Sequence, residues 1–265
     1  IGGDQMRRKK SKSRRGEGVK KGIYILPNLL TSVSLFCGFY AIVAAFNGKY
    51  LYASIAILIS VLFDGIDGKV ARLTRSTSRF GVEYDSLSDL VAFGVAPAIL
   101  VFSWALRPYG RLGWLAAFLY VACGALRLAR FNVQVNTVES RYFRGLPIPA
   151  AASLIAAAVL FLHRLGEGDQ TKHLFLLLLI YLLAFLMVSN IRYHSFKDLE
   201  LLKRKPFGTL VAVILAIVVV MAEPEIVLFV FASVYLILGP LNSLLGWYKK
   251  REVALSKDNA EPFIR

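Results

Sequence analysis

The sequence is poor in most of what a soluble enzyme carries. Of 265 residues only 17 are Asp or Glu, three are His and two are Cys. Cys37 and Cys123 both sit in apolar runs and imply no disulfide framework, and no C-x-x-C pair occurs. There is no G-x-x-x-x-G-K-S/T phosphate loop and no G-x-S-x-G elbow, which argues against a P-loop nucleotidase and an α/β-hydrolase. His163, His173 and His194 fall at different span ends or loops and make no zinc ligand set. Polar stretches of domain length are also missing. Hydrophobic residues are 57% of the chain and the mean hydropathy is +0.58, too apolar for an ordinary soluble domain.

What is present instead is a series of apolar runs close to the ~20 residues that span a bilayer. Eight spans are expected, near Asn28–Phe46, Leu51–Leu73, Gly81–Leu106, Leu112–Val133, Pro149–Leu165, His173–Asn190, Pro206–Met221 and Ile226–Trp247. The fifth and seventh are short enough to be tilted or partly re-entrant. The fold class is therefore all-α, a polytopic integral membrane protein with about eight transmembrane helices. Tyr50, Tyr109, Trp114 and Trp247 near span ends read as interface belts.

Charge sets the orientation. The net charge is +15. Nine Lys and Arg crowd into Met6–Lys21, which reads as a basic cytosolic tail able to lie on anionic lipid. With that tail in the cytosol, the outer loops hold Lys49, Arg107, Arg111, Arg164 and Lys172 and the acidic Glu167, Asp169, Glu223 and Glu225. The rest of the 32 basic residues fall on the cytosolic side, so both termini are expected there. Anionic lipid accounts for this excess, and no nucleic-acid partner is expected. The chain divides into a tail over 1–21, a membrane domain over 22–248 and a cytosolic C-terminal tail over 249–265. The five residues before Met6 are expected to be a cloning remnant.

Against this scarcity of acid, four aspartates stand close together. Asp64 and Asp67 are three apart at the cytosolic end of the second span, and Asp85 and Asp89 are four apart at the start of the third. Each pair shares a helix face, and the short loop Leu73–Phe80 lets the faces meet. Asp64 lies nine residues before Leu73, roughly 13 Å inside the span end. Four carboxylates in an apolar setting repel and are poorly solvated, and a hard divalent cation with oxygen ligands offsets this. The bland alternative is a buried ion-pair cluster with Lys69, Arg72, Arg75 and Arg79. Gly65, Gly68, Ala71 and Gly81 leave room beside the acids, for close helix packing or for a ligand against the backbone.

The full pattern is D-x2-D-G-x2-A-R-x8-G-x3-D-x3-D, from Asp64 to Asp89. It resembles the signature of the CDP-alcohol phosphatidyltransferase family with no departure. The resemblance implies a six-helix membrane core, usually homodimeric, that moves a phosphatidyl-type group from a CDP-linked lipid to an alcohol and releases CMP. It implies divalent metal, Mg²⁺ or Mn²⁺ with two ions per site, on Asp64, Asp67, Asp85 and Asp89, with Asp89 as the catalytic base. It implies CDP contacts from Asn28, Thr31, Asp64, Gly68, Ala71, Arg72, Arg75 and Gly81. The segments ALRLARFN (Ala125–Asn132) and FRGLPIPAA (Phe143–Ala151) are similar to the serine-accepting branch of that family. The acceptor contacts would then be Arg127, Arg130, Asn132 and Arg144. An arginine fork suits an acceptor that bears a carboxylate. The partners implied are CDP-diacylglycerol, L-serine, CMP and membrane lipids, in the inner or cytoplasmic membrane with the site facing the cytosol. Glycerol phosphate, an inositol phosphate or choline as acceptor, and a cation transporter with the aspartates as its transport site, are the other readings.

Overall fold

The computed structural model describes residues 3–74, 78–134, 142–166, 174–194 and 222–258. Among the described residues seven helices dominate: α1 (Gly3–Phe46), α2 (Tyr50–Leu73), α3 (Arg79–Tyr109), α4 (Arg111–Gln134), α5 (Ile148–Arg164), α6 (Leu174–Val188) and α7 (Pro224–Asp258). Two three-residue strands, β1 (Tyr142–Arg144) and β2 (Arg192–His194), pair antiparallel with Phe143 opposite Tyr193. Among the described residues, five helical stretches are long and apolar enough to cross a membrane: Ile25–Phe46, Tyr50–Leu73, Arg79–Tyr109, Arg111–Val133 and Pro224–Leu241. Helices α5 and α6 are apolar but shorter, at 17 and 15 residues. The all-α membrane architecture is as the sequence indicates; the expected span Pro206–Met221 lies outside the described residues.

The spans stand side by side because lipid cannot satisfy a backbone polar group, so each segment closes its own hydrogen bonds. What then brings helices together is close packing and polar contact between them. Helices α1 and α2 are clasped by serines. The Ser34 and Ser60 hydroxyls lie 2.7 Å apart, and each also approaches the other's carbonyl, at 3.1 and 2.9 Å. At the next contact Gly38 lies against α3 so closely that a Cβ there would fall 2.6 Å from the Ala92 Cα.

Helix α3 is the enclosed centre of the bundle. Ala92, Phe93, Ala96, Leu100, Val101, Trp104, Ala105 and Leu106 are all fully buried. It is not a uniform α-helix. Two wider π turns, Leu90–Val95 and Phe102–Leu106, interrupt it, and a 3₁₀ turn ends it at Arg107–Tyr109. The first has a local cause. Pro97 has no N–H, so the carbonyl four residues earlier, on Phe93, loses its α-helical donor. The buried Tyr120 hydroxyl of α4 donates to that carbonyl at 2.9 Å, and the Ala96 N–H reaches back to Val91 O. A wide turn is a common solution at such a point.

Helix α5 is a second core rod, lined with small residues. Ala151, Ala152, Ala156 and Ala158 are buried with Ile155 and Val159. Its approach is fixed by Gly145, whose φ of +82° only glycine adopts without strain. A Cβ there would lie 2.3 Å from Met187 O. The N–H groups of Gly145 and Leu146 donate to Ile191 O and Leu186 O, which seats the connection on the end of α6. Outward faces carry Phe36, Phe39, Phe118, Phe185 and Phe231, as a lipid-facing surface requires. Tyr50 departs from the interface-belt reading. It is 8% exposed and donates to Ser103 O at 3.3 Å, so it is a packing tyrosine between α2 and α3.

The Gly38 contact gives a direct test of this packing. Gly38→Val forces α1 and α3 apart at backbone level and should cost about 1–3 kcal/mol. The check is thermal unfolding of the purified protein in detergent, where the melting temperature should fall by several degrees. Gly65→Ala, whose Cβ meets nothing within 4 Å, should leave it near the parent value.

Candidate active site

The C-terminal part of α2 and the first turns of α3 run together at one end of the bundle. They are held by α1, which packs on both. Ser78 opens α3 as its N-cap, its hydroxyl accepting from the Gly81 N–H at 2.9 Å. The α-helical register of Arg79–Asp89 then puts Asp85 and Asp89 on one face. Opposite, carboxylate oxygens of Asp64, Asp67 and Asp85 lie within 4.8 Å of one another. Asp89 stands next to the group, its carboxyl beside that of Asp64.

Polar side chains from α1 fix the acids. The Thr31 hydroxyl lies 2.8 Å from Asp67 Oδ2 and 3.1 Å from its own helix's Pro27 O. Asp67 is only 4% exposed, so this donor stands where water would otherwise be. Ser88 donates to Thr31 O at 3.2 Å, and Ser32 shares a 2.8 Å hydrogen bond with the Tyr84 hydroxyl. Tyr84 in turn stacks on Phe80.

Among the described residues, the basic side chains flanking the acids on α2 and α3 do not neutralise the cluster. Lys69, Arg72 and Arg79 are exposed, and among the described residues none forms an ion pair with an aspartate. Arg72 folds back to donate from Nε to Gly68 O at 2.9 Å. Arg75 lies outside the described residues. A structural ion-pair cluster is therefore not what these acids form with Lys69, Arg72 and Arg79. The donor set is all carboxylate oxygen, converging and short of positive charge, which fits a hard divalent cation.

Space is left beside it. A Cβ added at Gly65 or Gly68 would meet nothing within 4 Å, so the backbone of α2 is bare there. Gly81 is the opposite case: a Cβ would lie 3.3 Å from Asn28 Oδ1 and 3.1 Å from Ser78 Oγ. That places Asn28 beside the start of α3. Ala71 is half-buried on α2.

The candidate acceptor residues separate. Arg127 on α4 is 9% exposed and its Nε is buried without a hydrogen-bond partner. It lies within electrostatic reach of Asp89. Arg130, three residues on, turns away: Nη2 is 2.5 Å from Asn190 Oδ1 and Nη1 is 3.4 Å from Val188 O, tying α4 to the end of α6. Asn132 exchanges hydrogen bonds with Ser86 of α3, at 3.0 and 3.2 Å. The backbone of Arg144 ends β1 opposite Arg192, and its side chain lies outside the described part. One residue that sequence reasoning passed over is Ser86, whose bond to Asn132 on another helix nothing local in the sequence signals.

Comparison with known proteins agrees with the geometry. The profile described as CDP-alcohol phosphatidyltransferase matches residues 24–189. A protein of Helicobacter pylori named CDP-diacylglycerol–serine O-phosphatidyltransferase is 42% identical over 224 residues, covering 84% of this chain and 92% of that protein. An archaetidylserine synthase of Methanothermobacter thermautotrophicus is 39% identical over 170 residues, 63% of this chain and 69% of its own length. A CDP-diacylglycerol–serine O-phosphatidyltransferase of Mycobacterium tuberculosis is 35% identical over 187 residues, 69% of this chain and 64% of that protein. With the matched region spanning every one of the clustered aspartates, the chain belongs to the CDP-alcohol phosphatidyltransferase family.

Proposed function

We propose that this protein is a membrane transferase that moves the phosphatidyl group of CDP-diacylglycerol to L-serine, giving phosphatidylserine and CMP. Family membership and the serine transferases it resembles over most of its length support the reaction. The observation that carries the acceptor is Arg127. A guanidinium buried in the bundle, with Nε unbonded and the Asp89 carboxyl nearby, suits an acceptor that brings a carboxylate and a hydroxyl close together. Membership in a transferase family also removes the reason for a cation transporter.

Asp64, Asp67 and Asp85 would hold the divalent cation, Mg²⁺ or Mn²⁺, with Asp89 at the edge of the set and two ions the expected number. When bound, that metal neutralises the pyrophosphate of the lipid and the charge that grows on departing CMP. The chain's own groups do the rest. Thr31 keeps the Asp67 carboxylate turned into the site. The bare backbone at Gly65 and Gly68 would accept the nucleotide against α2, with Ala71, Gly81 and Asn28 as its further proposed contacts. Arg72 can swing from Gly68 O to a phosphate oxygen, a stronger, charge-assisted acceptor. Arg127 binds the serine carboxylate. Asp89 takes the proton of the serine hydroxyl, the oxygen forms a bond to the phosphorus bearing diacylglycerol, and the P–O bond to CMP breaks with its electron pair on CMP. Asn132 and Ser86 brace the α3–α4 contact beside this point.

The depth of the site suits its substrates. The acids lie inside span ends, so the acyl chains stay in the bilayer while the headgroup meets serine from water. The basic tails put this end of the bundle in the cytosol by the positive-inside rule.

Two measurements test the proposal. Purified protein with CDP-diacylglycerol and serine should release CMP only with Mg²⁺ or Mn²⁺, and EDTA should abolish release until metal is restored. Asp89→Asn should lower turnover by at least ~10²-fold, the usual worth of a positioned base, while leaving CMP binding intact. Turnover within a few-fold of the parent would remove Asp89 from the base role. Separately, Arg127→Lys should raise the KM for serine about 10-fold or more, as loss of a charge-assisted fork does, with a smaller change in the KM for CDP-diacylglycerol.

A further inference from the structure

The Thr31 hydroxyl lies 2.8 Å from Asp67 Oδ2 and 3.1 Å from Pro27 O. A hydroxyl has a single hydrogen to give. The carboxylate oxygen is the nearer acceptor and the charged one, so it takes that hydrogen. Both partners are shut away from water: Thr31 is 5% exposed and Asp67 4%. Neither can exchange the other for solvent, so the bond persists unless the site itself rearranges.

The backbone behind the hydroxyl is held as well. Ser88 of α3 is fully buried and donates to the Thr31 carbonyl at 3.2 Å. Ser34, on the next turn of α1, is clasped to Ser60 of α2. Thr31 is therefore fixed against both acid-bearing helices, and its hydroxyl sets the rotation of the Asp67 carboxylate.

That rotation bears on which ion fits. A chelating carboxylate presents both oxygens to the ion at once. Asp67 has Oδ2 engaged by Thr31, which leaves Oδ1 to give without breaking that bond. Mg²⁺ demands a tight octahedral shell, and Mn²⁺ suits the same geometry. Ca²⁺ is larger, takes more oxygens at longer distances, and readily uses both oxygens of one carboxylate. A cluster in which one acid is held as a single-oxygen donor favours the smaller ions.

We propose that Thr31 is a positioning residue for metal choice: by holding Oδ2 it makes Asp67 a one-oxygen ligand and turns the cluster toward Mg²⁺ or Mn²⁺ and against Ca²⁺. This rests on the reading that the aspartates hold a divalent cation, and it gives the Thr31 hydroxyl a task other than contact with the nucleotide.

The experiment measures metal binding by the full-length protein in detergent micelles without substrate. Mn²⁺ uptake is followed by loss of the free-ion electron paramagnetic resonance signal, and Ca²⁺ is then titrated in to drive Mn²⁺ off. The parent should keep its Mn²⁺ against about a tenfold excess of Ca²⁺. Thr31→Val keeps the shape and removes the hydroxyl. It should weaken Mn²⁺ binding about 10-fold, the usual cost of losing a group that orients a metal ligand, and weaken Ca²⁺ binding less, so that the preference for Mn²⁺ falls. Thr31→Ser keeps the hydroxyl and should hold the preference within about twofold of the parent. Ser34→Ala loosens the α1–α2 clasp away from the acids; it should lower the melting temperature and leave the preference unchanged. An unchanged preference in Thr31→Val overturns the proposal. So does an equal weakening for both ions, or the same loss in Thr31→Ser. Should Thr31→Val fail to fold, Thr31→Ala carries the same expectation. A parent that takes up Mn²⁺ but yields it to equimolar Ca²⁺ overturns the proposal and leaves the metal reading standing. A parent that takes up neither ion overturns the metal reading, and the proposal with it.

Discussion

Negative charge held where water is scarce is the condition to which the rest of this molecule answers. Three carboxylates with oxygens inside 4.8 Å, and a fourth beside them, would push two helices apart in an apolar bundle. They stay together because α1 grips both helices: serine to serine against α2, backbone to backbone against α3 at Gly38, and threonine to aspartate at the site itself. A cation held there would offset the remaining repulsion, and in the proposed reaction metal and pyrophosphate would then bind together, each supplying the charge the other lacks.

The second half of the site follows a different logic. Where α2 and α3 offer acids and bare backbone, α4 offers one buried base. Arg127 and Arg130 are three residues apart on one helix, yet they end in different environments. Arg127 turns inward beside Asp89, and Arg130 staples the end of α4 to Asn190 and Val188. The division leaves Arg127 as the arginine proposed to bind the acceptor and Arg130 as a tie between helices, although the two look alike in the sequence.

Much of this could be read before any coordinates. The fold class followed from apolar runs of membrane length, because lipid admits few other solutions. The convergence of the acids followed from spacings of three and four residues on either side of a short loop. What could not be read depends on contacts between elements distant in the chain. The side of its helix that Arg130 takes is set by Asn190, sixty residues away. That Thr31 engages Asp67 depends on how α1 crosses α2. That Tyr50 is a core residue depends on the approach of Ser103. The π turns of α3 were half legible: Pro97 foretells a defect, but only Tyr120 on another helix tells where the stranded carbonyl goes.

That widened turn makes the length of α3 a functional quantity. The acids precede it and the buried stretch Leu100–Leu106 follows it, so the turn sets the azimuth of one half of the rod against the other. Removing a single residue between Asp89 and Pro97 would change the angular offset by roughly 100°, the step of one residue on a helix, and swing two carboxylates out of the cluster if the stretch from Leu100 onward kept its place. The middle of this rod is thus a phase setting between the acids and the far half of the hub.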